Sequence, residues 1–350
     1  MRILGVHCDS PHDSGVAVLE DGRITFAVNE ERLSRVKNDG GVPDKSLAEM
    51  KRSTGLALSD FDAIWHTGWT PARLLRNSGA YSRASYAMRR AGKWYGEPWM
   101  AVFKSPRNAL GVKDYRINMK KHEKLMALLA DYRGPIRHVS HHSCHAYAAY
   151  YAGGIPGSLT LVVEGVGDNK TTSWFLPGPK GLEEKQAQEW PHSVGRFYEC
   201  VTKILGFNIV RHGGKITGLA AYGDPESKTY DKVRPMLRRE GDRMLVSPLV
   251  YQLIRAWSKE GRKTPAYFEG ASREDISAAF QRRLEEVVVE WVEHLVKSTG
   301  VRKISAGGGV FANVKMNQRI HEIPGVEEIM VHPGMSDVGL AVGAACAGWE

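Results

Sequence analysis

Only four cysteines occur in the 350 residues, Cys8, Cys144, Cys200 and Cys346, and no two of them form a Cys-x-x-Cys pair. That excludes a zinc ribbon or a thioredoxin-type redox pair, and dispersed single cysteines in a chain this long make no disulfide framework. They read as reduced core thiols. No apolar run approaches the roughly 20 residues needed to cross a bilayer. The opening Met1-Arg2-Ile3-Leu4-Gly5-Val6-His7 reads as the start of a strand and lacks the charged and apolar regions of a signal peptide. The expectation is a cytoplasmic protein with no membrane contact. Disorder is excluded by composition, since 42% of the residues are hydrophobic and 25% charged, the balance of a globular protein with room for two lobes.

Acidic residues are also in short supply, with 39 Asp and Glu against 48 Lys and Arg, a net charge of +9. The deficit is local. Residues 71–137 carry fifteen Lys and Arg against four Asp and Glu, so this one insert exceeds the surplus of the whole chain. Tyr81, Tyr86, Trp94, Tyr95, Trp99, Phe103 and Tyr115 are interleaved with those bases. A basic, aromatic surface suits a polyanion with exposed bases, because counterion release supplies affinity and rings supply stacking. Arg83, Arg89, Arg90, Lys93, Trp94, Lys120 and Lys121 are the candidate nucleic-acid contacts. The competing reading is a solvated helical face whose aromatics belong to the core.

What the chain does have is histidine at a telling spacing. In His141-His142-Ser143-Cys144-His145-Ala146-Tyr147-Ala148-Ala149-Tyr150, His141 and His145 stand four apart in a segment of helical composition. Both imidazoles then lie on one helix face, one turn apart, as two ligands of one metal ion require. His142 and Cys144 are out of register with that pair. The best placed third ligand is Asp337, in a turn at the start of a small-residue helix, and three protein ligands would leave the site open. Histidines at helical spacing also cap, hydrogen-bond or pack, so spacing alone leaves both readings standing.

The chain opens with three expected strands, Arg2 to Cys8, Gly15 to Glu20 and Arg23 to Asn29, with a polar turn through Asp9 to Ser14 and a tight Asp21-Gly22 turn. The pattern recurs at Leu159 to Glu164, a Gly165-Val166-Gly167-Asp168-Asn169 turn, and Thr171 to Leu176. Two such units with polar turns facing each other predict a duplicated α/β fold of two lobes, the logic of the actin, sugar-kinase and heat-shock-ATPase architecture. The lobes are expected at 1–157, including the insert, and 158–350. Helices are expected at Asp44 to Thr54, Met119 to Tyr132 and Arg273 to Thr299, the last with apolar residues every three or four positions and Ser272 as its N-cap. A short strand around Arg302 to Ser305 runs into Gly307-Gly308-Gly309-Val310-Phe311-Ala312-Asn313 and a helix from Val314. Glycines at such a strand-to-helix turn let backbone approach a ligand.

Several stretches taken in order resemble the carbamoyltransferase family of nodulation-factor, cephamycin and aminoglycoside pathways. They are Ile3-Leu4-Gly5 through His12-Asp13-Ser14-Gly15, Asn29 to Lys37, His141 to Tyr151, Glu164-Gly165-Val166-Gly167, Ser193 to Tyr198, Gly214 to Gly223, Gly307 to Asn313, and Pro333 to Ala345. The matches span almost the whole chain. The resemblance implies a two-lobed fold like the universal tRNA threonylcarbamoyl transferase subunit, and transfer of a carbamoyl group from carbamoyl-adenylate to a hydroxyl. It implies that His141, His145 and Asp337 hold a divalent metal, iron or zinc. Gly308, Gly309 and Asn313 would lie in the adenosine-binding loop, Gly165, Gly167 and Asp168 on its phosphate side, and His12 at the reacting centre. A histidine with an ordinary pKa of about 6.5 is a natural base for a hydroxyl, so His12 is assigned as base with Asp13 orienting it. Lys37, Arg35 and Lys215 are candidates to neutralise phosphate or an anionic acceptor.

Two departures stand out. Glu164 occupies the place of the family's usual Asp, and His212-Gly213-Gly214-Lys215-Ile216-Thr217 lacks the usual acidic residue and methionine. The chain also stops at Glu350, where typical members continue into a domain that makes carbamoyl-adenylate from carbamoyl phosphate and ATP. The expectation is that this domain is absent and that a separate carbamoyl-adenylate synthase subunit docks instead. With the basic insert, the preferred acceptor is a hydroxymethylated pyrimidine in DNA, reached by flipping the base or on a single strand. The alternatives are a sugar or antibiotic hydroxyl, tRNA threonylcarbamoylation, or a non-catalytic nucleotide-binding scaffold, for which Glu164 is the main argument.

Overall fold

Ile3, Leu4 and Val6 of β1 (Arg2–His7) are all buried, the mark of a strand covered on both faces. Around it the first sheet runs β3-β2-β1-β4-β5, with β2 (Gly15–Glu20) and β3 (Arg23–Asn29) antiparallel and β4 (Ala63–His66) and β5 (Ile136–His138) parallel. The computed structural model describes residues 1–68, 112–259 and 263–350, with backbone alone for 112–118 and 259. Of the candidate nucleic-acid contacts, Arg83, Arg89, Arg90, Lys93 and Trp94 lie outside the described residues.

The second lobe repeats the first. Its sheet is β8-β7-β6-β11-β12, built from β6 (Leu159–Gly167), β7 (Lys170–Gly178), β8 (Gly181–Glu189), β11 (Lys303–Gly307) and β12 (Glu328–Val331), again three antiparallel strands followed by two parallel ones. A separate hairpin, β9 (Leu237–Glu240) and β10 (Arg243–Val246), sits beside it. This duplicated order is the two-lobed α/β fold of the actin, sugar-kinase and heat-shock-ATPase class. The expected turn at Gly165–Asn169 is shorter than the glycines suggested. Gly165 to Gly167 remain in β6, whose register shifts after Val163, and the reversal is made by Asp168 and Asn169, both in the left-handed region at φ 55° and 67°.

Helices α1 (Glu30–Ser34), α2 (Asp44–Thr54) and α3 (Val112–Leu128) flank the first sheet, and the α-helix of α3 stops four residues short of the expected Tyr132. Next come α4 (His141–Tyr147), continued as a π-turn over Ala148–Ala152, and α5 (Val194–Ile204). They are followed by α6 (Gly213–Ala220), α7 (Lys228–Val233) and α8 (Pro248–Lys259). The helix α9 (Arg273–Thr299) has the boundaries its pattern predicts. Ser272 Oγ accepts from the Asp275 N–H at 2.9 Å, Gly300 ends the helix at φ 71°, and Ile276, Phe280, Leu284, Val287, Val288, Trp291 and Leu295 are all buried in the second lobe's core. Last are α10 (Val314–His321) and α11 (Leu340–Trp349).

Two helices cross between the lobes, and they position the site. The small-residue helix α11 packs on the first sheet: a Cβ at Gly5 would collide with Ala341 O, and Ile3, Ala17, Leu19, Ala341, Ala345 and Cys346 form one cluster. Its other face meets α4, where a Cβ at Gly343 would strike Cys144 O. Helix α4 in turn packs Ala146 against Val162 and Phe175 of the second sheet. Alanine and glycine are therefore demanded by close backbone approach, which holds the loop before α11 against α4.

Burial has a cost at His192, just before α5. It is 3% exposed, its Nδ1 accepts from the Val246 N–H at 3.1 Å, and burial pushes its pKa down to about 4. The unfolded chain, with His192 near 6.5, binds more protons than the folded one between those values. Stability from this residue is therefore complete above pH 6.5 and is lost as pH falls through 4, about 3 kcal/mol in all. Chemical denaturation across pH 4–7 should show that slope, and His192→Asn should flatten it. An unchanged slope in the variant would assign the loss to other groups.

Candidate functional site

The site lies where the two equivalent strand turns meet. From the first lobe, the β1–β2 turn brings Asp9, His12 and Asp13; from the second, the end of β6 brings Glu164; α4 inserts His141 and His145 between them; and the loop before α11 adds Asp337. Ser140 caps α4, its Oγ accepting from the Ser143 N–H at 3.2 Å, so the helix begins at His141 itself. The expected pairing on one helix face is present: His141 Nε2 and His145 Nε2 are 3.2 Å apart.

Two carboxylates close on those nitrogens. Glu164 Oε2 lies 3.1 Å from His141 Nε2 and 3.5 Å from His145 Nε2, and Asp337 Oδ1 lies 3.5 Å from each. One ligand atom from each of the four residues falls within 4.8 Å of all the others. Outside this set, His141 Nδ1 stands 3.1 Å from Asp9 Oδ2, while Asp9 Oδ1 stands 3.0 Å from His7 Nδ1. His142 Nδ1 pairs with Ser173 Oγ at 2.6 Å and its Nε2 stands 2.6 Å from Glu164 Oε1. A carboxylate behind a histidine fixes which ring nitrogen is free, and here Asp9 leaves Nε2 of His141 for the cluster.

The charges are mutually dependent. Burial opposes charge on His141, yet the carboxylates of Glu164, Asp9 and Asp337 hold its pKa well above the ordinary value. Burial likewise opposes ionisation of Glu164 and Asp337, and the imidazoles of His141 and its neighbours hold both carboxyls far below the usual range. Burial keeps His142 neutral and lowers its pKa. At the rim, His12 Nδ1 is 2.9 Å from Asp13 Oδ2 and 3.9 Å from Asp337 Oδ2, and its ring is 35% exposed. The hydrogen bond to Asp13 raises the His12 pKa, and the charge of Asp337 adds to it.

Asp13 is held in the left-handed region, φ 64°, which turns its carboxylate back onto the preceding His12. That geometry suits a base whose Nδ1–H is held by a carboxylate, leaving Nε2 to take a proton. The cluster beside it offers two imidazoles and two carboxylates, donor chemistry shared by zinc and non-haem iron. The family model described as "Carbamoyltransferase N-terminus" matches residues 2–346, almost the whole chain. The chain belongs to the carbamoyltransferase family.

Among its relatives, the nodulation protein NolNO of Sinorhizobium fredii is 29% identical over 346 residues, 95% of this chain and 46% of that protein. A tRNA N6-adenosine threonylcarbamoyltransferase of Geotalea uraniireducens is 27% identical over 196 residues, 55% of this chain and 54% of that protein. The chain thus spans about half the length of the curated relatives it matches. Component A of the (R)-2-hydroxyglutaryl-CoA dehydratase of Acidaminococcus fermentans shares the fold, with a TM-score of 0.51 and 16% identity over 99% of this chain and 96% of that one.

Among carbamoyltransferase residues expected at the site, His12, Asp13, His141, His145 and Asp337 come together. The others are placed differently. Asp168 Oδ2 accepts the His141 N–H at 2.8 Å, so its carboxylate serves the start of α4. Asn313 caps α10, accepting from the Met316 N–H and from Gln281 Nε2, each at 3.0 Å, and donating to Gln281 Oε1 at 2.8 Å, so its amide is committed within the lobe. Lys37 is 62% exposed, its ammonium 3.8 Å from Glu31, and the Lys215 ammonium lies over the Phe207 ring. Lys120 is exposed, whereas Lys121 turns inward and donates to Ser10 O at 2.8 Å beneath the β1–β2 turn, where burial lowers its pKa.

The glycines also divide by role. A Cβ on Gly167 would press into the His141 ring, and one on Gly165 would meet Glu199 Oε1. Gly308 has φ 93°, a Cβ there would strike Val163 O, and its N–H donates to Met335 O at 2.7 Å, tying the glycine loop to the Asp337 loop. A Cβ on Gly309 meets open space. Gly308→Ala should therefore cost about 2–4 kcal/mol of stability, and Gly309→Ala less than about 0.5, as read by urea denaturation; equal costs would refute this division.

Sequence reasoning missed Asp9, set His142 aside as out of register with the helix pair although it touches Glu164, and treated Glu164 only as a departure. The signal that could have found Glu164 is a lone carboxylate closing the largely apolar run Leu159 to Val163, the buried stretch of β6.

Proposed function

We propose that this chain is the transferring half of an O-carbamoyltransferase, moving a carbamoyl group from carbamoyl-adenylate to a hydroxyl. The observation that carries the reading is the adjacency of His12 to the buried His141–His145–Glu164–Asp337 set. Four carboxylates, Asp9, Asp13, Glu164 and Asp337, converge on three imidazoles with the inner groups nearly sealed from water. That donor set fits a divalent ion, which would be iron or zinc held by His141, His145 and Asp337 with Glu164 as a fourth oxygen donor. When bound, such an ion supplies Lewis acidity, offsetting the nitrogen donation that makes a carbamoyl carbon a poor electrophile.

The chain's own residues supply the rest. Asp13 holds His12 Nδ1–H, and His12 Nε2 accepts the proton of the acceptor hydroxyl as its oxygen attacks the carbamoyl carbon. The bond from that carbon to the adenylate oxygen breaks, and AMP leaves with the electron pair. Gly309, with open space before it, offers the backbone approach an adenosine needs, and Lys37 and Lys215 are the candidate cations for its phosphate. Because Glu164 keeps a carboxylate within the cluster, its difference from the family's usual residue is no argument for a non-catalytic scaffold.

The preferred acceptor is a hydroxymethylated pyrimidine in DNA, supported by the fifteen bases and interleaved aromatics of residues 71–137. The donor would be carbamoyl-adenylate, made from carbamoyl phosphate and ATP. The test is mass spectrometry of nucleosides after incubating the protein with carbamoyl phosphate, ATP, a candidate synthase and DNA containing hydroxymethylated pyrimidines. One added carbamoyl group on the modified base supports enzyme, acceptor and partner together. No gain with carbamoyl-adenylate present moves the acceptor to a sugar or other small-molecule hydroxyl, to be tried in the same assay.

A further inference from the structure

Arg211 belongs to the second lobe, yet its guanidinium ends in the first. It stands on a loop between α5 and α6 that is built to be stiff: Asn208 Oδ1 accepts the N–H groups of Val210 and Arg211 at 3.0 and 3.1 Å, and the Asn208 N–H donates to His212 Nδ1 at 3.2 Å. From there Arg211 Nε donates to Asn38 Oδ1 at 3.1 Å and Nη2 to the Lys37 carbonyl at 3.3 Å. Asn38 sits at φ 56°, a conformation asparagine tolerates better than most residues, and its backbone N–H donates to Glu31 Oε2 at 2.8 Å. The other end of its amide, Nδ2, donates to Asp13 Oδ1 at 3.4 Å, and Asp13 Oδ2 holds His12.

We infer that Arg211 and Asn38 form a latch between the lobes, in which the Asn38 amide couples cleft closure to the placement of the Asp13–His12 pair. Only an amide does both jobs at this position, since its oxygen takes the guanidinium of one lobe while its nitrogen gives to the carboxylate of the other. When the lobes separate, Arg211 leaves with its loop, and the Asn38 side chain, left with only its long 3.4 Å bond to Asp13, is free to rotate away. Asp13 loses a donor on its outer oxygen, and His12 is no longer fixed for the hydroxyl. Arg211 and Asn38 are thus positioning residues: neither touches the reacting atoms. Their effect on rate rests on the carbamoyl-transfer reading; the latch itself does not.

The test uses two readouts. All four native cysteines are buried, so spin labels at Lys51→Cys in the first lobe and Ser298→Cys in the second report the distance between lobes. Arg211→Ala should broaden that distribution, while Asn38→Asp, which keeps an oxygen for Arg211 and removes the donor to Asp13, should leave it narrow. Each variant should lower kcat of carbamoyl transfer about tenfold with KM for the donor changed less than about twofold, and together they should be far from additive. A narrow distribution in Arg211→Ala, or a wild-type rate in Asn38→Asp, overturns the proposal. If the wild type transfers no carbamoyl group at all, the transfer reading fails and the distance measurement alone decides the latch.

Discussion

Asparagine in place of His12 should lower the rate of carbamoyl transfer about 10²–10⁴-fold while donor affinity stays near wild type. The substitution keeps a polar group able to face Asp13 but removes the nitrogen proposed to receive the hydroxyl proton. His12 is partly exposed at the rim of the cleft, and asparagine is smaller and polar there, so the substitution should leave the fold intact. Single-turnover mixing with carbamoyl-adenylate separates the two terms, binding from the dependence on donor concentration and chemistry from the limiting rate. A limiting rate within a factor of about three of wild type would remove His12 from the chemistry, since a base in flight would leave a larger deficit. Asp13→Asn should fall between, because the imidazole survives but its Nδ1 partner loses its charge.

The second large effect concerns Glu164. Three imidazole nitrogens contact its carboxylate, those of His141, His142 and His145, at 3.1, 2.6 and 3.5 Å. Glu164→Gln retains the shape and removes the charge that offsets the desolvation of those buried rings. If the set holds iron or zinc as proposed, with Glu164 a donor, affinity should fall by at least about 10–100-fold, the range for losing even an outer carboxylate behind ligating histidines. Competition with a chromophoric chelator reads this without any turnover. Unchanged affinity for both metals would place Glu164 outside the proposed metal centre, leaving it the structural task of holding His142 against Ser173.

Much of this was legible from residue patterns, and the limits are instructive. The long helix α9 was readable end to end because a serine cap, acidic first turn, apolar stripe and terminal glycine all agree over 27 residues. The pairing of His141 with His145 followed from helical spacing alone. Gly165 to Gly167 misled, since glycine there serves close packing against His141 and Glu199 and not a chain reversal; the left-handed Asp168 and Asn169 make the turn. Asp9, Glu164 and Asp337 lie far apart in the chain, and only the meeting of two sheet ends and a crossing helix brings them within reach of one histidine. Sequence spacing carries no information about such a meeting. Asn313 and Lys121 show the converse: residue types suited to ligands were already engaged by Gln281 and by the Ser10 carbonyl.

The most direct test is a single turnover with carbamoyl-adenylate carrying ¹³C in the carbamoyl group, supplied to the protein loaded with iron or zinc together with a hydroxyl acceptor. Transfer through His12 beside the four-residue cluster gives AMP and a ¹³C-carbamoylated acceptor in equal amounts, both lost in His12→Asn. Intact carbamoyl-adenylate, or AMP released with no label on any acceptor and no dependence on His12, would contradict it.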